Sequence, residues 1–159
     1  MADWLQNWLD NLCEVMTVTD RHGKQVRSFH VFDRNELPDA ITPEDAPCAV
    51  SYVTDIQLEY SAGGPTHLYC YGQTEFHLTN DVKPANVAYC MSMYEPIVRA
   101  CAGAMTLGGT VKHFTLLQNA PGALAFMTYT NIDGKPDHQG IVVKWYVNYV
   151  ASGDLVVSA

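Results

Sequence analysis

Charge is what this chain has least of. Lys, Arg, Asp and Glu together make up 16% of its 159 residues, against roughly 25% in ordinary soluble domains, so uncharged side chains must cover part of its surface. Only nine residues are Lys or Arg and the formal net charge is −8, which argues against DNA binding by phosphate neutralisation, since that mode needs a concentrated basic surface. No apolar run approaches the ~20 residues that span a bilayer. The opening MADWLQNWLDNLCEVM carries acids where a secretory signal carries Lys or Arg, so the chain is expected to be cytosolic when made. The five cysteines, Cys13, Cys48, Cys70, Cys90 and Cys101, are odd in number and contain no C-x-x-C pair. Neither a disulfide framework nor a zinc knuckle is suggested, and buried free thiols are expected.

Reactive motifs are equally scarce. The glycines of SAGGPT and LGGT fit neither the Walker nor the dinucleotide fingerprint, and read as turns. His67 and Cys70 fall on opposite faces of a strand, and His67 and His77 lie roughly 33 Å apart in extended chain at ~3.3 Å per residue, so they cannot share a zinc ion; both histidines are expected on the sheet surface. No local signature pairs a cysteine with a histidine, and the carboxylates are scattered. No catalytic residue, metal ligand or cofactor is therefore expected.

What the chain has is aromatic: nine Tyr, three Trp and, beside them, six Met, residue types enriched where proteins bury surface against partners. Asp3 and Gln6 form a capping-box pattern. Trp4, Leu5, Trp8, Leu9, Leu12, Val15 and Met16 then follow at helical spacing. A turn at DRHG leads into an extended run through Val31, and three prolines in LPDAITPEDAP describe a rigid extended connector. CAVSYVTDIQLEY and THLYCYGQTEFHLT read as a hairpin at the centre of a sheet. A helix is expected from Pro84 to about Met105 with Val87, Cys90, Met91, Tyr94, Ile97, Val98, Cys101 and Met105 on one stripe. Pro96 should kink it or split it into two abutting helices, and Leu107–Gly109 should end it. TVKHFTLLQ, GALAFMTYT, a loop NIDGKPDHQ and the closing GIVVKWYVNYVASGD complete the chain. In that last strand Val143, Trp145, Val147 and Tyr149 share one face, and Lys144, Tyr146, Asn148 and Val150 the other. The sum is one α+β domain over residues 1–159: a mostly antiparallel twisted sheet with an N-terminal helix and a central helix packed on one face.

An amphipathic first helix, ELPDAI and APCAV leading into a strand hairpin, a helix and a closing GIVVKWYVNY together resemble the tail terminator (head-tail completion) proteins of long-tailed bacteriophages. The resemblance covers most of the chain, and the proline inside the helical region departs from the plain single helix of that layout. It implies a non-enzymatic virion protein at the tail-neck junction, present in the host cytoplasm during assembly. Such a protein forms a six-membered ring with itself, caps the tail tube protein and meets a neck or head-completion protein, while DNA passes through without specific binding. On this reading Lys144, Tyr146 and Asn148 serve a neighbour contact or the channel wall. Two polar loops, holding Arg21, Lys24 and Arg27 and then Asp133, Lys135 and His138, serve the layers on opposite sides of the ring. The competing expectation is a small-molecule-binding domain or enzyme with a pocket between sheet and helix.

Overall fold

The computed structural model describes residues 3–31, 41–60 and 62–151. They form α1 (Asp3–Met16), β1 (Arg27–His30), β2 (Cys48–Glu59), β3 (Thr66–His77), α2 (Asn86–Met91), α3 (Tyr94–Ala102), β4 (His113–Leu116), β5 (Leu124–Thr130) and β6 (Pro136–Ala151). One six-stranded sheet runs β1-β2-β3-β6-β4, with β5 also on β6. Every pairing is antiparallel except β1 with β2. The chain is a single-domain α+β fold, its centre the β3–β6 pair rather than the β2–β3 hairpin.

Alternation along β6 decides which face is core. Val143, Trp145 and Val147 are buried, and the register sets them against Thr74, Gly72 and Cys70 of β3. On that face Trp145 meets Trp8 of α1 edge to face, ring centres 5.7 Å apart at 88°, a favoured aromatic geometry. Its indole N–H donates to Thr74 Oγ1 at 3.0 Å, and Thr74 bonds Ser51 at 2.7 Å, so the polar groups under the ring are satisfied. Leu5, Leu9, Leu12 and Met16 complete the buried stripe of α1, each contributing about 1.5–3 kcal/mol on full burial. Asp10 of α1 pairs with the buried His30 of β1 at 2.5 Å. The expected cap at Asp3 involves a side chain outside the described residues, as do residues 37–40 of the proline-rich connector; its described part contains a 3-10 turn, Pro43–Asp45, with proline in the first turn, where the lost N–H matters little.

Pro96 splits the central helix, as one of the two expected alternatives had it. A proline ring clashes with the carbonyl four residues back, and that residue is Ser92, the C-cap of α2. Proline itself sits in the first turn of α3, where N–H groups have no intrahelical partner. The break also breaks the stripe. Cys90, Met93, Ile97 and Cys101 are buried, whereas Val87, Met91, Val98 and Met105 are 42–57% exposed, because two short helices do not share one continuous face. Gly103, not Leu107–Gly109, caps α3; Leu107, Gly108 and Gly109 form a later turn at φ of 46, 70 and 84°.

Candidate functional site

The face of the sheet turned away from the helices is built by the odd-numbered residues of β3 and the even-numbered ones of β6. Tyr69, Tyr71 and Gln73 stand opposite Asn148, Tyr146 and Lys144, all half-buried. Tyr146 stacks on Tyr69 with centres 6.0 Å apart and leans on Tyr71 at 5.3 Å, and His113 of β4 approaches it at 6.4 Å. His67 stacks on Tyr69 at 5.9 Å and its Nδ1 meets Asn148 Oδ1 at 3.2 Å. Lys144, Tyr146 and Asn148 thus lie together on one aromatic, hydroxyl-rich platform, with Glu75 of β3 itself and Asp55 and Glu59 of the neighbouring β2 in phase with it. Glu59 and Glu75 stand at opposite ends of it, opposite His67 and Val50.

The two polar loops are shorter than the sequence implies. Asp20 accepts from the N–H groups of His22 and Lys24 at 2.8 and 2.7 Å and from the Tyr89 hydroxyl at 2.7 Å. Burial opposes its charge, but these donors outweigh burial and hold the carboxyl below its usual range. Arg21 lies over the Tyr89 ring at 5.6 Å, and Lys24 is exposed. Arg27, expected on the loop, belongs to β1: its guanidinium donates to the Asp45 carbonyl at 3.0 Å and covers Phe29. The second loop is only residues 131–135, since β6 begins at Pro136, a residue that needs no ladder N–H at a strand start. Asp133 and Lys135 are exposed there beside a fully exposed Ile132. His138 is not a loop residue at all: it lies in β6 and is buried.

The loops do not face opposite ways either. Arg27, Cys48, His77 and Gly140 form one transverse row, so both loops leave the same end of the sheet. The opposite end carries the β2–β3 tip and the start of β4.

Sequence reasoning missed the most connected polar group. His77, expected on the surface, is buried, and its Nδ1 lies 2.7 Å from His138 Nε2. His138 Nδ1 bonds the Asp137 carboxylate, and Tyr129 stacks on both rings at 4.1 and 5.0 Å. Glu75 accepts from the Tyr52 hydroxyl at 2.8 Å, and Gln73 bonds that hydroxyl. Glu75 is held below its usual range, first by His77, and desolvation foremost pushes His138 down. The Asp137–His138 dipeptide was the only local signal, because the partner strand lies 61 residues away.

Among the described residues no group of three or more His, Cys, Asp or Glu is arranged to hold a metal. Cys48, Cys70, Cys90 and Cys101 are buried and unbridged; burial pushes Cys48 and Cys90 up to about 11 and Cys70 and Cys101 to about 12, the reverse of an activated nucleophile. An apolar cavity of about 500 Å³ opens between α3 and β4, lined by Val98, Met105, Phe114, Leu116 and Leu124 among others. No helix among the described residues is long and apolar enough to cross a membrane. No protein-family model matches the chain, and no curated protein matches it significantly.

Proposed function

We propose that this protein is a ring-forming structural subunit, the tail terminator of a long-tailed bacteriophage, which ends tail-tube polymerisation and joins the tube to the neck. The outer half of β2 carries the proposal. Beyond Ser51 no strand among the described residues pairs with its free edge. Ile56 and Leu58 keep the phase of the core face, opposite Cys70 and Leu68, yet with Tyr60 they stand 43, 65 and 64% exposed. An unpaired apolar edge is a template for another chain. Among the described residues the other side of the sheet has an unpaired edge too, along β5, and the pairings make β5 antiparallel to β2. Adding β5 of one copy to β2 of the next continues an antiparallel sheet, and such a heterologous contact closes into a ring when the rotation per subunit allows. Six copies, a tube protein on one rim and a neck protein on the other follow from the layout the chain resembles; the loops of Arg21 and Lys24 and of Asp133 and Lys135 would then serve one common rim. A platform with Asp55, Glu59 and Glu75 against Lys144 suits a channel that DNA crosses without adhering.

Electron microscopy of assembled particles with the protein labelled tests this. Rings at the tail-neck junction are expected; its absence from that junction refutes the proposal. The cavity between α3 and β4 favours a second reading, a small-molecule binder, since its size is that of ordinary ligand pockets. A ligand-stabilised monomer that never forms rings would support that reading instead.

A further inference from the structure

The buried histidine pair holds an unfinished chain of hydrogen bonds. A carboxylate only accepts, so His138 Nδ1 must carry a proton toward Asp137. When His138 is neutral its Nε2 is therefore bare, and His77 Nδ1 must donate across the 2.7 Å gap. A neutral His77 then has a bare Nε2. That atom is buried without a hydrogen-bond partner, and it faces Glu75 Oε2 at 3.7 Å, two lone-pair-bearing atoms in opposition. One added proton on this Nε2 turns the opposition into an attraction and completes a chain running Asp137, His138, His77, Glu75. A second proton has nowhere to go: it would set two N–H groups against each other across the same gap.

We propose that His77 and His138 form a one-proton latch, which fastens the start of β6 to the end of β3 when a single proton is shared and opens when both rings are charged. The titratable and charged groups around it, among the described residues, are Glu75 on β3, Asp137 on β6, Tyr129 on β5, Cys48 and Tyr52 on β2, Asp45 in the 3-10 turn and Arg27 on β1, with Cys90 of α2 acting on the Tyr129 phenol. Each ring touches one carboxylate, Asp137 at His138 and Glu75 at His77, so counter-charge does not limit the pair; what opposes a second proton is the meeting of two N–H groups across the 2.7 Å gap. Desolvation foremost, and the neighbouring His77 with it, disfavours charge on His138 and outweighs the Asp137 hydrogen bond that favours it, in accord with a late second proton. The latch lies at the turn end of the β5–β6 hairpin, where His138 pairs with Tyr129, so its opening loosens the exposed turn at residues 131–135.

The sign of the pH effect follows from proton counting. The latch admits one proton fewer at these rings than the unfolded chain binds once both its histidines are charged, well below their ordinary value of ~6.5, so the unfolding constant there rises by up to about tenfold per pH unit of acidification. Denaturant titrations from pH 7.5 to 5.0 should show this slope in the wild type and lose it in His138→Gln, which leaves one ring that binds a proton in both states. An identical slope in both proteins overturns the latch. If His138→Gln does not fold, nitrogen NMR of the wild-type imidazoles decides: one ring should stay neutral with its proton on Nδ1 at pH 5.5 while the other is charged. Two rings that titrate independently would refute the proposal.

Discussion

Replacing Gly72 by alanine is a sharp test of the packing beneath the sheet. Gly72 sits in β3 between Val53 and Trp145, with no unusual backbone angle to explain a glycine. Space explains it. A Cβ there would lie 2.4 Å from Trp145 Cη2, 2.7 Å from Cζ2 and 2.5 Å from the Tyr52 carbonyl oxygen. Neither neighbour can yield cheaply: the indole is wedged against Trp8 and tied to Thr74, and the carbonyl belongs to the main chain of a paired strand. Overpacking a tight core costs about 1–3 kcal/mol, and two immobile obstacles put this site near the upper end. At about 2–4 °C per kcal/mol for a domain of this size, the melting temperature should fall by about 6–12 °C. Calorimetry and urea unfolding measure it. Trp145→Phe withdraws both obstructing ring atoms, so the double variant should be more stable than the sum of the single losses by about 1 kcal/mol or more. A Gly72→Ala protein melting within about 2 °C of the wild type, or strict additivity with Trp145→Phe, would refute the argument.

Other expectations follow from the same geometry. Trp145→Ala should cost about 3–5 kcal/mol in denaturant titrations, whereas Tyr146→Ala, on the opposite face, should cost less in the isolated subunit and impair ring assembly more; equal small losses would mean that the faces are misassigned. Leu58→Lys should leave subunit stability within about 0.5 kcal/mol and abolish rings in negative-stain images, and unaltered rings would remove β2 from the contact. Asp20 holds its proton less tightly in the fold than in the unfolded chain. Its contribution is therefore complete above the unfolded value of ~3.9 and lost as pH falls below it, so Asp20→Asn should flatten the acid limb of the stability curve measured by calorimetry from pH 5 to 2.5.

The split of the central helix at Pro96 was legible because a proline ring conflicts with the carbonyl four residues earlier whatever the surroundings. Likewise the α1 stripe and the alternation of Val143, Trp145 and Val147 follow from backbone periods of 3.6 and 2, which need no knowledge of partners. The α+β class and the phase of Lys144, Tyr146 and Asn148 on a common face came from that local grammar too. Which of the two strand faces a polar residue joins can be read in this way, but how deeply it is buried there cannot.

His138 makes the difference plain. By composition it belongs to a loop of Asp, Gly, Lys and Pro; in the fold β5 pairs with residues 136–143 and draws the segment into β6, and the register then brings the buried His77 against it. Arg27 moved from loop to strand for the same reason, through pairing with Cys48. The common placement of the two polar loops, the exposure of Ile56 and Leu58 beyond the reach of the helices, and the void above Gly72 that Trp145 fills are likewise properties of register and packing. Sequence by itself determined periods, breaks and chemical types, since those act through neighbours along the chain. Only the tertiary structure decided which distant rows meet, because strand register is a choice among pairings that local preference leaves nearly equal in energy and that burial of one whole face then fixes.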